Sequence, residues 1–101
     1  MIDEIRRRVA RGDFELSQHA VDQAIIRHIS VQELREAIVG GEVIEVYPED
    51  KYGPSCLIFG MTRVGRPIHI QCSDPSRPIV KIVTVYEPNP AIWIEFKVRR
   101  S

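Results

Sequence analysis

The chain has 101 residues, of which 44% are hydrophobic and 28% are charged, as in a globular protein with one domain. Fourteen basic residues balance 14 acidic ones, and this zero net charge argues against a broad, non-specific nucleic-acid footprint. No apolar run is long enough for a membrane helix and the N-terminus is charged rather than signal-like, so we expect a cytoplasmic protein without membrane contact. The two cysteines have no CxxC spacing, which predicts reduced, buried thiols.

The N-terminal pattern predicts a short helix from Ile2 to Arg11. Apolar side chains recur on one stripe of this segment, and its arginines fall mostly on the other side. Gly12 ends the helix, because glycine adopts the left-handed backbone of a helix C-terminus at little cost. Residues 14–16 then form a brief extended link before the next helical pattern.

Capping residues predict two further helices. Ser17 is a suitable N-cap for a helix that runs to about His28, since its hydroxyl can accept a hydrogen bond from an unpaired amide. Ser30 and Glu33 have the spacing of a capping box, which begins a third helix. That helix ends at two glycines, 40–41, where we expect a left-handed cap.

The remainder of the chain has the composition of strands joined by short turns. Predicted strands are rich in β-branched residues and are bounded by glycine and proline; they cover residues 42–47, 55–61, 67–73 and 79–86. A loop at 48–54 joins the first two. Residues 92–98 alternate well enough for a strand or a packed tail, with a helix as the alternative.

Helices followed by strands predict an α+β fold over the single domain 1–101. Residues 1–41 are its helical part and residues 42–98 its sheet part. The N-terminal helices are expected to pack on one face of an antiparallel sheet of four or five strands.

The strand from Pro67 to Ser73 has the most regular alternation in the chain. Three apolar residues point to one face, while His69, Gln71 and Ser73 point to the other. An imidazole on an open sheet face can transfer protons near neutral pH, so His69 is a candidate general acid or base. The alternative is a partly buried histidine with a satisfied partner. Gln71 and Lys81 share the face with His69 if the strand register allows it.

Other candidate site residues lie on the second helix and at strand ends. His19 and Arg27 fall on one helical stripe, which either faces a ligand or is an ordinary polar surface. Arg66 follows a turn and is a candidate for binding phosphate. Tyr86 and Glu87 end the last long strand, where they either position a substrate or serve as a packing aromatic and a solvated turn residue. The histidines and carboxylates lack the spacing of metal ligands, so no metal or cofactor is predicted.

Six segments in order carry a resemblance to a known family. They are Ser17-Gln18-His19-Ala20, Arg27-His28-Ile29-Ser30, Gly41 to Pro48, Gly53-Pro54-Ser55, Gly65 to His69 and Thr84 to Pro88. The chain resembles a small prokaryotic domain family of unknown function, which is distantly similar to the BrnT, RelE and MqsR-type toxins. Relatives commonly carry Arg at position 23 and Gly at position 28, where this chain has Gln23 and His28.

The resemblance implies a RelE-like fold and a metal-independent RNA endonuclease of toxin–antitoxin type. In that chemistry the RNA 2′-hydroxyl attacks the adjacent phosphate. His69 and His19 would be the catalytic pair, and RNA or phosphate would be bound by Arg27, Arg66, Lys81 and Gln71, with Tyr86 and Glu87 in support. The implied partners are RNA and a cognate antitoxin-like protein.

Two other functions stay open at the level of sequence. The first is a non-catalytic protein-interaction module or degenerate toxin, which the neutral charge and Gln23 favour. The second is a small-molecule enzyme that uses His69 and Glu87. The charge distribution on the His69 face separates these functions, since a basic stripe favours RNA and an apolar patch favours a protein partner.

Overall fold

The helices begin at their predicted capping residues. A computed structural model of the protein describes residues 1–51 and 53–101, and its helices are α1 (Ile2–Arg11), α2 (Gln18–Ile26) and α3 (Val31–Val39). The Ser17 hydroxyl accepts a hydrogen bond from the Ala20 amide at 3.0 Å, and the capping box of Ser30 and Glu33 is complete. α2 ends at Ile26 rather than at His28, because the φ of 54° at His28 interrupts the helical backbone.

The C-terminus of α3 lies where it was predicted, but a left-handed cap is not the reason that the helix ends there. The helix ends at the predicted glycines, but Gly40 has φ −95° and not a left-handed conformation. Gly41 is instead required by close packing, since a Cβ there would lie 2.5 Å from the Ala37 carbonyl oxygen. The second glycine therefore allows the chain to pass beneath α3 into the sheet.

The sheet has five strands in the described residues and is mixed rather than purely antiparallel. Its strands are β1 (Phe14–Leu16), β2 (Glu42–Tyr47), β3 (Ser55–Met61), β4 (Pro67–Ser73) and β5 (Val80–Tyr86). The order is β1-β5-β4-β3-β2, with antiparallel neighbours throughout except for the parallel pair of β1 and β5. The four antiparallel strands were predicted. Residues 14–16 were predicted only as a link, and their pairing needs a distant partner that a local pattern does not reveal. Tyr52, in the predicted 48–54 loop, lies outside the described residues.

The helices cover one face of the sheet, as predicted. Ile68, Ile70 and Cys72 of β4 are fully buried against this helical layer. The core cluster also contains Ile5 and Val9 of α1 and three residues of α3, namely Leu34, Ala37 and Ile38. Such burial supplies most of the stability of a small α+β fold. Both cysteines are buried free thiols on this face, which confirms that prediction, with their sulfur atoms 3.9 Å apart.

The C-terminal segment, residues 88–101, covers part of the opposite face. It contains two short paired strands, β6 (Trp93–Ile94) and β7 (Val98–Arg99), where a strand or a packed tail was predicted over 92–98. The interruption comes from Glu95 and Phe96, whose φ angles of 50° and 65° turn the chain between them. Ion pairs attach the segment to β2, as in the 3.4 Å contact between Lys97 and Glu42. This face is therefore divided into a capped half and an open half.

Candidate functional site

His69 lies in the capped half and does not face solvent. Its side chain does point away from the helices, as the alternation predicted, but the residue is 0% exposed. The Trp93 ring stands nearly perpendicular to the imidazole at a centroid distance of 4.5 Å, and Phe59 and Tyr86 make further edge contacts. The expectation of an open-face histidine is therefore wrong, because the C-terminal segment folds over it.

Both ring nitrogens of His69 have partners within the protein. Nε2 lies 2.6 Å from the carbonyl oxygen of Phe96, which only accepts, so Nε2 carries the hydrogen. Nδ1 lies 3.2 Å from the Tyr86 hydroxyl, which then donates to it. Burial lowers the pKa of His69, while the Phe96 carbonyl acts in the opposite direction. The arrangement fits a neutral imidazole that ties the C-terminal segment to the sheet.

Arg66 is also occupied by contacts within the fold. Its guanidinium donates to the backbone carbonyl oxygens of Arg27 and His28 at 2.7 and 2.8 Å. It also pairs with Glu33 at 3.1 Å and with Glu87. These contacts raise the pKa of Arg66, with the Glu87 hydrogen bond as the main cause. Arg66 therefore joins the α2–α3 junction to the sheet, and the phosphate role expected for it would require breaking these bonds.

The two other predicted site residues of the capped half, Tyr86 and Glu87, do not form an accessible site. The Tyr86 hydroxyl is hydrogen-bonded to His69, and burial raises the pKa of Tyr86. Glu87 is exposed but bonded to Arg66. The small-molecule site expected from His69 and Glu87 is therefore not assembled on an open surface.

The open half of the face contains a cleft of about 630 Å³. It lies between the start of α2, the loop before β3 and the turn after β4. Eleven described residues line it: Ser17, His19, Asp50, Gly53, Pro54, Ser55, Gln71, Ser73, Arg77, Lys81 and Val83. A concave site with a few convergent polar groups on apolar walls is typical of ligand binding. The cleft is consequently the best candidate functional site on the described surface.

The cleft brings together three of the residues that the sequence singled out. His19, Gln71 and Lys81 all line it, so the expectation that Lys81 shares the face of Gln71 is met. Lys81 pairs with Glu15 at 3.1 Å, and both side chains are at least 40% exposed. An exposed pair of this kind is weak, so the ammonium can exchange partners at little cost.

Like Arg66, Tyr86 and Glu87, the predicted site residues His69 and Arg27 do not line the cleft. The ring contacts of His69 are with Phe59, Tyr86 and Trp93, so the two-histidine centre expected from His19 and His69 is not formed. Arg27 shares the predicted stripe of α2 and donates from Nε to Gln23 at 2.9 Å. This contact is on the exposed surface of α2 and outside the cleft lining.

Sequence reasoning missed several residues of the cleft, of which Asp50 and Ser55 are the most important. Ser55 opens β3 and is 3% exposed, a polar residue at the start of an otherwise apolar strand. Asp50 comes from a loop whose path has no periodic signal. The hydroxyl of a serine at the buried start of a strand needs a hydrogen-bond partner. This requirement was the sequence signal that pointed to a polar neighbour of Ser55.

The chain matches one protein family over residues 16–87, which include α2, α3 and strands β2 to β5. It therefore belongs to a family of small domains whose function is not established. The family is described as Domain of unknown function (DUF4258). No curated protein and no solved structure matches the chain. All described residues of the cleft lie within the matched segment, whereas the segment that covers His69 lies outside it.

Two negative findings concern the described residues alone. Across 1–51 and 53–101, no cluster of three or more His, Cys, Asp or Glu side chains is arranged to hold a metal ion. In the same residues, none of the helices is long and apolar enough to cross a membrane.

Proposed function

We propose that the protein is a metal-independent RNA endonuclease of toxin type, whose site is the open cleft. The observation that carries this proposal is the placement of His19 and Lys81 on one concave surface, with Arg77 also in its lining. An imidazole can transfer a proton near neutral pH, and cations stabilise the charge that develops on a phosphate. The resemblance to RelE-like toxins supports the same class of reaction.

The proposed step needs only the protein, RNA and water. His19 takes the proton of a 2′-hydroxyl as its oxygen forms a bond to the adjacent phosphorus. The bond from phosphorus to the 5′-oxygen breaks, and that oxygen takes a proton from solvent. Lys81 leaves Glu15 and pairs with the phosphate. The products carry a 2′,3′-cyclic phosphate and a 5′-hydroxyl.

A His19→Ala variant is expected to cleave single-stranded RNA about 100-fold more slowly than the natural protein, or worse, because general acid–base catalysis contributes this much. The measurement is gel analysis of a mixed-sequence RNA in the presence of chelator, with identification of the cyclic-phosphate ends. His28→Asn is the matched control, since His28 is exposed, lies outside the cleft lining, and asparagine tolerates its positive φ. Equal cleavage rates for His19→Ala and the natural protein would show that His19 has no role in the reaction.

A protein-interaction module is the second candidate, and the outer edge of β2 favours it. In the described residues β2 pairs only with β3, and Val46 on this edge strand is 55% exposed. An unpaired strand edge can accept a strand from a partner. The partner proposed is an antitoxin-like protein encoded beside this chain.

Val46→Lys is expected to weaken capture of that antitoxin-like protein about tenfold, because a charge on an edge strand opposes pairing. The measurement is titration of the purified adjacent gene product by calorimetry. Val64→Lys serves as the control, since Val64 is 88% exposed and lies in the turn between β3 and β4. If the partner binds both variants as tightly as it binds the natural protein, the β2 edge is not its binding surface.

A further inference from the structure

The two cysteines of the chain form a pair across neighbouring strands at one end of the sheet. Cys56 is the second residue of β3 and Cys72 is the last but one of β4, and they lie directly opposite in the antiparallel register. Both are free thiols with 0% exposure, and their sulfur atoms are 3.9 Å apart. The sequence contains no other cysteine, so an intramolecular disulfide in this protein joins these two residues.

The backbone beneath this pair already has the geometry that a disulfide needs. Residues directly opposite in an antiparallel pair have Cα atoms about 4.5 to 5.5 Å apart, and a disulfide spans about 4.4 to 6.8 Å between its Cα atoms. The sulfur atoms must approach from 3.9 Å to about 2 Å, which requires a movement of about 1 Å by each. Side-chain rotation supplies most of this movement, so the strands can keep their register.

The contact between the two sulfur atoms makes them chemically unequal. The hydrogen bond from Cys72 lowers the pKa of the Cys56 thiol, against the effect of burial. The same contact, together with burial, raises the pKa of Cys72. A thiolate and not a thiol is the nucleophile toward an oxidant. Cys56 is therefore the attacking sulfur, and Cys72 is the second thiol that completes the bond.

The position of the pair at the strand ends gives a small oxidant access to the buried sulfur atoms. Strand ends open locally at a lower free energy than strand centres. The ladder on the other side of β4 is also irregular at this point, since its register with β5 shifts between Gln71 and Cys72. Such a bulge interrupts the hydrogen bonds of the ladder. Local opening here admits hydrogen peroxide, a molecule little larger than water.

We infer that Cys56 and Cys72 are a peroxide-sensitive site that forms a reversible disulfide between β3 and β4. The Cys56 thiolate forms a bond to one peroxide oxygen as the O–O bond breaks, and the departing hydroxide takes a proton to become water. The resulting sulfenic acid is attacked by the Cys72 sulfur. The S–O bond breaks, and the hydroxide leaves as water with the Cys72 proton. Two thiols are thus oxidised while one peroxide is reduced to two waters.

The disulfide would act on the wall of the open cleft. Ser55 precedes Cys56, while Gln71 and Ser73 flank Cys72, and these three neighbours all line the cleft. A covalent link between the two strand ends restrains the backbone of all three neighbours. The oxidised protein therefore has a more rigid cleft wall than the reduced protein, whatever ligand the cleft binds.

The first test detects the bond in the natural full chain. Reduced protein, freed of reductant, is treated with a small excess of hydrogen peroxide in native buffer, and the remaining thiols are alkylated after denaturation. Peptide mass mapping is expected to recover Cys56 and Cys72 in one linked pair of peptides, which dithiothreitol separates. Two alkylated thiols after this treatment, or sulfonic acids without the link, would overturn the inference.

Cys72→Ser tests the order of the two steps. Serine keeps a hydroxyl that can donate to the Cys56 sulfur, but it cannot form a disulfide. Peroxide treatment is expected to leave a sulfenic acid on Cys56, which dimedone labels and mass spectrometry locates. Circular dichroism checks that the variant is folded. A folded variant without label on Cys56 would overturn its assignment as the attacking sulfur.

Amide hydrogen exchange measured by NMR tests the effect on the cleft wall. Exchange at Ser55, Gln71 and Ser73 is expected to be about tenfold slower in the oxidised natural protein than in the reduced one, because the link opposes local opening. Peroxide-treated Cys72→Ser is the matched control and should show no slowing. Unchanged exchange in the linked natural protein would overturn the effect of the disulfide on the cleft wall.

Discussion

A Gly60→Ala variant is expected to lose about 3 kcal/mol of unfolding free energy or more, a large share of a small domain's stability. Gly60 lies in β3 directly beneath α3, where a Cβ would fall inside the contact distance of the Ala37 carbonyl and 2.8 Å from Ala37 Cα. The opposing atoms are backbone, so no side-chain rotation relieves the overlap. The helix must move away from the sheet, and its contacts with the core are weakened. Urea denaturation monitored by Trp93 fluorescence measures the loss.

Gly40→Ala provides the matched control for Gly60→Ala. It adds the same methyl group at the end of α3, but the nearest atom to its Cβ is the Glu36 carbonyl oxygen at an ordinary 3.6 Å. Its φ of −95° is also accessible to alanine. We expect a change below about 1 kcal/mol for this control. Equal losses for the two variants would show that the proximity of α3 to the sheet is not the cause.

The elements that the sequence predicted well are those with local signals. β2, β3 and β4 have the predicted bounds, because each has an apolar or alternating run between turn residues. The side-chain hydrogen bonds predicted for Ser17 and Ser30 are present, since capping depends only on neighbours along the chain. β1 was missed as a strand because its three residues pair with a strand that begins 66 positions later, as in the Phe14 and Val80 pair.

The site was harder to predict, since its accessibility depends on the C-terminal segment. The alternation of β4 correctly placed His69 and Gln71 on the face away from the helices. It contained no information on which part of that face would be covered. The part that the C-terminal segment covers depends on Glu95 and Phe96, whose positive φ angles turn the segment over His69. Such angles are uncommon for these residues. The same turn leaves Gln71 beside the open cleft.

The position of His28 shows how a departure from the family pattern can be structural. Its φ of 54° is the left-handed conformation that glycine adopts at little cost, and glycine is the residue that the resemblance drawn from the sequence implies at this position. The backbone carbonyl of His28 accepts a bond from Arg66, so this conformation is part of the α2–α3 junction. The departure therefore bears on stability at that junction rather than on the cleft.

The unfolding free energy is expected to decrease as the pH falls below about 6.5, the ordinary pKa of histidine, because of His69. Burial lowers the pKa of His69 in the folded state. Between the lowered folded value and the ordinary unfolded value, the unfolded chain binds a proton that the folded chain does not. Stability therefore rises with pH across this window and becomes level above it. Denaturation midpoints at about pH 5, 6, 7 and 8 measure the slope.

His69→Gln separates the titration of His69 from its structural role. Glutamine can donate to the Phe96 carbonyl and accept from the Tyr86 hydroxyl, as the neutral imidazole does, but it does not titrate. We expect a moderate loss of stability at neutral pH and no slope between about pH 5 and 7, whereas His69→Ala should lose about 3 kcal/mol through its cavity and unpaired partners. Glu45, whose pKa is lowered with Arg99 as its ion-pair partner, contributes only at lower pH. A slope that persists in His69→Gln would mean that another group senses the pH. Its disappearance would assign the pH dependence of the unfolding free energy to the buried imidazole of His69.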